Sequence, residues 1–346
     1  MHLRGTAPGG LHGKASQNLH FTFRVQIMLK KVIILEWKRS HTVVSSCSVI
    51  ICTYNRAHLV KRVLHSLARQ TIRPEEFEVV VVDDGSRDNT AEVCNALHSE
   101  LPNLKYISMG RNTGLARARN VGIAASTGDY LLFTDDDCIA AENWVECLRD
   151  ALGGEKIVAG AVASTTTDFM KLCHNIAQFH AFMPGQKAGP KEMLAGANMA
   201  FRRSVLSELE GFQAGILCAD DTELALRARA KGYRTFFAPD AIVTHDPERN
   251  TLSFAVQYAA SHASATIHLR NHYRALLKTP FIFRSAGLIL AMAPLIALKV
   301  TAGIYLRNPS LARFLRTAPF VYVLKLAWCW GAARGLQHQN SEGKKT

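Results

Sequence analysis

The sequence predicts an α/β protein with a mostly parallel central sheet flanked by helices, followed by a C-terminal helical apolar appendage. Three observations predict it. Short apolar runs alternate with helical patterns from Ser48 to about His245, polar residues cluster at the ends of those runs, and the composition shifts to long apolar stretches after residue 250. Strand and helix alternating at this spacing imply right-handed crossovers and a sheet covered on both faces.

Ser48–Cys52 (SVIIC) reads as a strand buried on both sides. Leu59, Val60, Val63, Leu64 and Leu67 then mark one face of a helix. Val79–Val82 forms a second strand, followed by a helix carrying Val93, Leu97 and Leu101. Leu104–Ser108 is a third strand, with Leu115, Ala118 and Val121 on its helix. Tyr130–Phe133 is a fourth, with Trp144, Leu148 and Leu152 on the helix after it. No internal repeat interrupts the order.

The ends of the chain differ from this pattern. Residues 1–46 hold no acidic residue before Glu36 and no sustained periodicity before Val32–Leu35. They read as an unstructured or mis-annotated extension, with Met28 an alternative start to Met1. Residues 285–306 are apolar except for Ser285, Lys299 and Thr301, and residues 317–333 form a second apolar run broken by Lys325. Arg284, Arg307, Arg313, Arg316 and Arg334 flank them. The first run is long enough to span a bilayer and the second is marginal. Basic flanks and tryptophans favour a hairpin seated at a membrane surface over a true span; the alternative is a pair of helices packed on the catalytic domain.

Bulk properties narrow the classes. The 346 residues suffice for one large domain with an appendage. A formal charge of +13 suits nucleic acid, anionic lipid or a phosphorylated small molecule. Eight cysteines without a CxxC pair predict free thiols in a reducing compartment, not zinc or disulfides. The absence of an Asn-x-Ser/Thr acceptor fits a cytosolic site.

Chemistry concentrates at the strand ends, where open parallel sheets bind ligands. Strand one ends in Thr53, Tyr54, Asn55 and Arg56; strand two in Asp83, Asp84, Gly85 and Ser86; strand four in Asp135, Asp136 and Asp137. Five carboxylates are thus expected to converge on one edge. Three adjacent aspartates repel one another unless a cation neutralises them. Oxygen ligands without adjacent His or Cys point to Mg²⁺ or Mn²⁺, which complete their shells with substrate phosphates. A metal bridging a diphosphate is the natural occupant, and a solvated acidic turn is the bland alternative.

The segments SVIICTYNR, EVVVVDDGSRDNT, RNTGLARARNVGI, GDYLLFTDDD, GANMAFRRSVL and DDTELALRARAKG occur in the order found in family 2 glycosyltransferases. The resemblance covers about residues 47–250. It implies a GT-A fold, with a nucleotide-binding half (47–155) and an acceptor half (156–250); outside the resemblance, the apolar runs make 251–346 a helical region, either membrane-associated or packed on the catalytic domain. By position, Asp84 resembles the aspartate that reads the donor base, with Thr53 and Asn55 lining the same pocket. Asn112, Gly114 and Arg119 fall in the segment covering the nucleotide. Asp136 would contact the ribose and Asp137 the metal, with Asp135 beside it. Gly196, Ala197 and Asn198 would border sugar and acceptor. Asp221 matches the general base; its partner is Asp220 where the family has Glu. His245 matches an additional metal or diphosphate contact.

The resemblance implies a nucleotide-sugar donor, a single displacement with inversion, and transfer of one sugar per binding event, since no Gln-x-x-Arg-Trp signature follows the base. Basic flanks and apolar runs favour a glycan or lipid-linked acceptor, at the inner face of the cell membrane. The stretch Thr165–Lys191 is expected to form a mobile acceptor lid.

Other readings fit less well. A nucleotidyltransferase would want a Gly-rich basic loop after the first strand, and Thr53–Arg56 is not one. Neither GxxxxGK[ST] nor GxGxxG occurs. A glycoside hydrolase would pair carboxylates without a base-reading aspartate. A catalytically dead scaffold would have shed carboxylates that are all present. Nucleic acid is not expected as a partner, because the basic residues are scattered without aromatic platforms.

Overall fold

A computed structural model describes residues 46–342 apart from 217 and 249. The extension expected over residues 1–46 therefore lies, but for Ser46, outside the described residues. The chain enters through β1 (Cys47–Thr53), α1 (Ala57–Leu67), β2 (Phe77–Asp83), α2 (Thr90–Ala96), β3 (Leu104–Ser108), α3 (Leu115–Ala125) and β4 (Tyr130–Asp135). These strands pair in parallel in the order β3-β2-β1-β4. One boundary differs from expectation. The second helix ends at Ala96 and tightens into a 3-10 turn over Leu97–Ser99, so buried Leu101 packs from beyond it. Pro102 keeps Leu101 itself out of the helix, because a proline disfavours helical backbone at the residue before it.

A short β5 (Cys138–Ala140) and α4 (Trp144–Gly154) lead into β6 (Ile157–Ser164), α5 (Phe169–Phe179), β7 (Gly189–Lys191) and β8 (Asn198–Arg202). Then follow α6 (Arg203–Glu208), α7 (Asp220–Ala230) and β9 (Thr235–His245). The sheet continues from β4 through β8, β6 and β9 to β5, with β7 also on β9. It runs unbroken across the division expected at residues 155 and 156. β8 is antiparallel to both β4 and β6, while β6 and β9 are parallel. Among the described residues, β1, β2, β3, β4, β6 and β9 run one way and β5, β7 and β8 the other.

The central strands are apolar runs because both faces are covered. Val49–Ile51, Val79–Val82, Leu131–Phe133 and Met199–Phe201 lie in one continuous core with Val60, Leu64, Trp144 and Leu148 of the flanking helices. Each such side chain contributes roughly 1.5–3 kcal/mol by leaving water. A bulge between β6 and β9 at Gly160 and Ala161 shifts the register, and Asn198 fills it. Its amide donates to the carbonyls of Ala161 and Ala241, and its oxygen accepts from Trp144 Nε1. Gly160 leaves the room, since a Cβ there would lie 2.3 Å from Asn198 Nδ2.

The C-terminal region comprises α8 (Leu252–His272), α9 (Arg274–Leu277), α10 (Ala286–Arg307) and α11 (Ala318–Glu342). Leu172 and Ile176 of α5 join Ile304 and Tyr305 of α10 and Val321 of α11 in one apolar cluster, which seats these helices on the α/β core. α8 and α11 approach closely through Gly331 and Gly335. A Cβ at Gly331 would lie 2.1 Å from the Ala260 carbonyl oxygen, and one at Gly335 2.7 Å from that of Ser264. Lys325, which interrupts the second apolar run, points inward, and its Nζ donates to the Ala177 carbonyl at 2.8 Å. The two apolar runs therefore differ in their surroundings. The 317–333 run is a packed helix, because its lysine finds its partner inside the protein. Among the described residues, only Ala286–Arg307 is a helix long and apolar enough to cross a membrane, and 22% of it is buried. Gly331→Ala should cost about 2 kcal/mol despite its better helix propensity, because the added methyl meets backbone. Thermal unfolding followed by circular dichroism measures this, and an unchanged midpoint would contradict the close α8–α11 approach.

Candidate active site

A cavity of about 360 Å³ opens beyond the carboxyl ends of β1 and β4. Thr53, Arg56, Asp84, Asp135, Asp136 and Asp137 line one side; Gly196, Ala197, Asp220, Asp221 and His245 line the other, with Arg119 between. Four of the five strand-end carboxylates belong to it. Asp83 does not, because successive residues of a strand point to opposite faces. Its carboxylate accepts from Ser86 N and from the Tyr106 hydroxyl.

Asp84 holds the segment that opens α3. One oxygen accepts from Thr113 N (2.7 Å) and Thr113 Oγ1, the other from Gly114 N (2.8 Å). A carboxylate has about four acceptor sites, so one remains toward the cavity. Gly114 takes φ +97°, a backbone region that favours glycine. Asn112 lines the cavity beside it. Asn55, with φ +54°, is exposed and does not line the cavity, contrary to expectation; its oxygen accepts from Arg87 N and its own N–H donates to Ser86 Oγ. It latches the loops after β1 and β2 together.

Asp136 is buried, accepting from Thr53 Oγ1 at 2.8 Å and Arg56 Nη1 at 3.0 Å. Burial pushes its carboxyl up to about 6, against the pull of Arg56. Asp137 Oδ1 is buried and accepts no hydrogen bond among the described residues; His245 Nε2 lies 3.4 Å away. Ligand atoms of Asp135, Asp137 and His245 fall within 4.8 Å of one another. Asn175 orients the histidine. Its Nδ2 donates to Ser164 Oγ and the His245 carbonyl, so its Oδ1 is left to accept from His245 Nδ1 at 2.7 Å. That turns the Nε2 lone pair toward Asp137, the arrangement of a metal-binding histidine. The imidazole adds a nitrogen to an otherwise all-oxygen set. These three residues fit a divalent cation.

Arg119 is buried and joins the two sides. Nη1 donates to Asp220 at 2.8 Å; Nη2 donates to Asp135 at 3.2 Å and to the Gly196 carbonyl at 3.3 Å. Burial opposes its charge, but Asp220 and Asp135 more than offset that and hold its pKa above the ordinary arginine value. Asp221 follows at the start of α7. Its Oδ2 accepts from Gly196 N at 2.9 Å and its Oδ1 from Thr222 N at 2.6 Å. Burial first, and the neighbouring Asp220 second, push its carboxyl up to about 6. Two backbone features set it there. Ala219 adopts a left-handed φ of +74°, and a Cβ at Gly196 would lie 2.8 Å from Asp221 Oδ2. Asn198, expected to border sugar and acceptor, is buried in the bulge with its amide fully engaged and does not line the cavity.

The far wall comes from residues without a strand-end signal: His174, Gln178 and Phe179 of α5, and Tyr258 and His262 of α8. Tyr258 packs edge-on to His174 at 5.1 Å and stacks on His262 at 6.0 Å. Burial pushes the His262 imidazole down to about 4, so it is neutral at physiological pH. The i,i+4 spacing of His174 with Gln178 and of Tyr258 with His262 was the one available signal.

With this geometry in hand, comparison with known proteins places the chain. Residues 48–210 match Glycosyl transferase family 2, and residues 146–332, more than half of the chain, match Glycosyl transferase family group 2. The chain belongs to the family 2 glycosyltransferases. It is 28% identical over 200 residues to glycosyltransferase AglE of Haloferax volcanii, covering 57% of this chain and 66% of that one. It is also 28% identical over 213 residues to the O-antigen chain rhamnosyltransferase RfbN of Salmonella typhimurium, covering 57% and 65%. The chain thus spans just under two thirds of these relatives. A mannosyltransferase of Pyrobaculum calidifontis, solved in complex with GDP-Man and Mn²⁺, superposes with a TM-score of 0.54 at 22% identity, over 82% of this chain and 86% of that one. At that identity the likeness carries the fold, which is the expected GT-A fold.

Asn175→Ala should weaken Mn²⁺ binding about 10–100-fold, as loss of outer-shell partners does. Titration of free Mn²⁺ by electron paramagnetic resonance measures it. Unchanged affinity in a folded variant would show that His245 needs no such orientation.

Proposed function

We propose that this chain is an inverting, non-processive glycosyltransferase that moves a sugar from a nucleoside-diphosphate donor to an acceptor hydroxyl. The observation that carries the reading is the shared cavity, in which Asp136 and Asp137 on the sheet edge face Asp221 across it. Donor diphosphate and acceptor hydroxyl need those two sides together.

Thr53, Asp84, Asn112 and Gly114 form the nucleotide side, and Asp136 takes the ribose. Asp137, Asp135 and His245 would hold Mg²⁺ or Mn²⁺, which supplies charge neutralisation for the departing diphosphate. Asp221 accepts the proton of the acceptor hydroxyl as that oxygen attacks the anomeric carbon opposite the leaving group. Its raised pKa makes it a stronger base than a solvated aspartate. Gly196 N fixes one of its oxygens. Arg119 holds Asp220 and Asp135 on either side, so it keeps base and cation site in register. Arg56, whose side chain is 38% exposed beside Asp136 and Asp137, is the cation open to the diphosphate.

Relatives named as an O-antigen chain rhamnosyltransferase and a poly(ribitol-phosphate) beta-N-acetylglucosaminyltransferase support a cell-envelope or lipid-linked glycan as acceptor. The exposed apolar side of α10, with Leu295, Leu298 and Leu306, supports seating at the inner membrane surface. A scaffold without catalysis would have no use for a buried carboxylate poised near 6.

Donor turnover tests the reading, with product configuration assigned by NMR. Asp221→Asn should lower kcat by about 10²–10⁴-fold while nucleotide affinity is kept. In the native protein kcat/KM should fall as pH drops through about 6, because protonation removes the base. Retained activity in Asp221→Asn would remove it from the base role.

A further inference from the structure

A second cavity, of about 450 Å³, lies between the loop after α5 and the C-terminal half of α10, and shares no lining residue with the catalytic one. We propose that it binds the phosphate of an anionic lipid headgroup. The inference uses the proposed membrane seating only for the source of that phosphate and is independent of glycosyl transfer.

Its charge is one-signed. Lys191, Lys299 and Arg307 line it and no carboxylate does. None of the three forms an ion pair among the described residues. Cations gathered without counter-charge raise the local potential and favour an anion. Lys191 is also fixed in place. Its Nζ donates to the Ala181 carbonyl at 2.7 Å and Gln186 Oε1 at 2.8 Å, and sits 4.8 Å from the centre of the Phe237 ring. An ammonium has three donors, so one remains for a ligand. Burial alone lowers its pKa, in keeping with the missing carboxylate.

Lys299, Gly303 and Arg307 recur at i, i+4 and i+8 on one side of α10. Gly303 leaves the space between the two cations empty, since a Cβ there meets nothing within 4 Å. The carbonyls at the end of α10 oppose an anion. Asn308 Nδ2 occupies one of them, the Ile304 oxygen. Leu298 and Leu306, 57% and 81% exposed, directly precede Lys299 and Arg307 in the chain. Phosphate-binding groups beside exposed apolar side chains match an amphiphile: the head in the cavity and the chains along α10.

Vesicle co-sedimentation of the full chain tests this, using phosphatidylcholine alone and phosphatidylcholine with phosphatidylglycerol. Binding should require the anionic lipid. Lys299→Gln with Arg307→Gln, and separately Gly303→Leu, which fills the cavity and keeps the charge, should each weaken it about tenfold. Arg313→Gln with Arg334→Gln, equal in charge and outside the cavity, should change it less than twofold. All variants should keep wild-type thermal stabilisation by UDP or GDP with Mn²⁺, which separates failure here from failure of the donor site. Wild-type vesicle binding by Gly303→Leu, or equal losses in both charge pairs, would overturn the site in favour of diffuse attraction. Inorganic phosphate that stabilises the protein through Lys299 and Arg307, without vesicle binding, would overturn the lipid source.

Discussion

The site depends on one buried guanidinium. Arg119 reaches from α3 to Asp135 at the end of β4, to Asp220 at the start of α7 and to the Gly196 carbonyl ahead of β8. A charge taken out of water costs several kcal/mol unless it is paired and hydrogen-bonded, so these contacts must form together. Once they do, the Asp135 edge of the sheet and the start of α7 have a fixed relation. Gly196 is held through its carbonyl by Arg119 and through its N–H by Asp221, which passes the constraint directly to the Asp221 carboxylate.

A second chain of contacts fixes the other side of the cavity. Asn198 fills the bulge between β6 and β9, and beyond that bulge the register brings Ser164 and Cys138 opposite His245. Asn175 then sets the imidazole so that it faces Asp137. Neither asparagine needs to touch substrate to matter. Asn198 satisfies the carbonyls left by the bulge, and Asn175 gives the imidazole a defined direction. The left-handed Ala219 does the same for Asp220 and Asp221, at the strain of a non-glycine residue in that region.

The gathering of strand-end residues at one cavity was legible in the sequence because those groups are local. Each buried apolar strand announces itself, and the residues just past its end must lie on the sheet edge. What strand ends do not reveal is side-chain direction, and so Asp83 was counted with Asp84 although it turns to Tyr106. Asn198 was read as a site residue from its position in a motif, whereas its amide is spent on Ala161, Ala241 and Trp144. The wall of His174, Tyr258 and His262 depends on how α5 and α8 pack, and tertiary contacts between distant helices leave only a faint i,i+4 trace. The place of Lys325, which breaks the second apolar run, is hidden for the same reason: its partner is a carbonyl of α5.

The C-terminal helices are therefore part of the site as well as an appendage to it, since α8 closes the cavity while α10 keeps an apolar side exposed. The central claim is that the Asp137 edge of the cavity takes a divalent cation together with a nucleoside diphosphate. Thermal unfolding with UDP and GDP, each with and without Mn²⁺, tests it most directly when repeated in Asp137→Ala. The account predicts stabilisation that needs both nucleotide and metal and disappears in the variant. Stabilisation by neither nucleotide under any metal condition, or an equal response from Asp137→Ala, would contradict it.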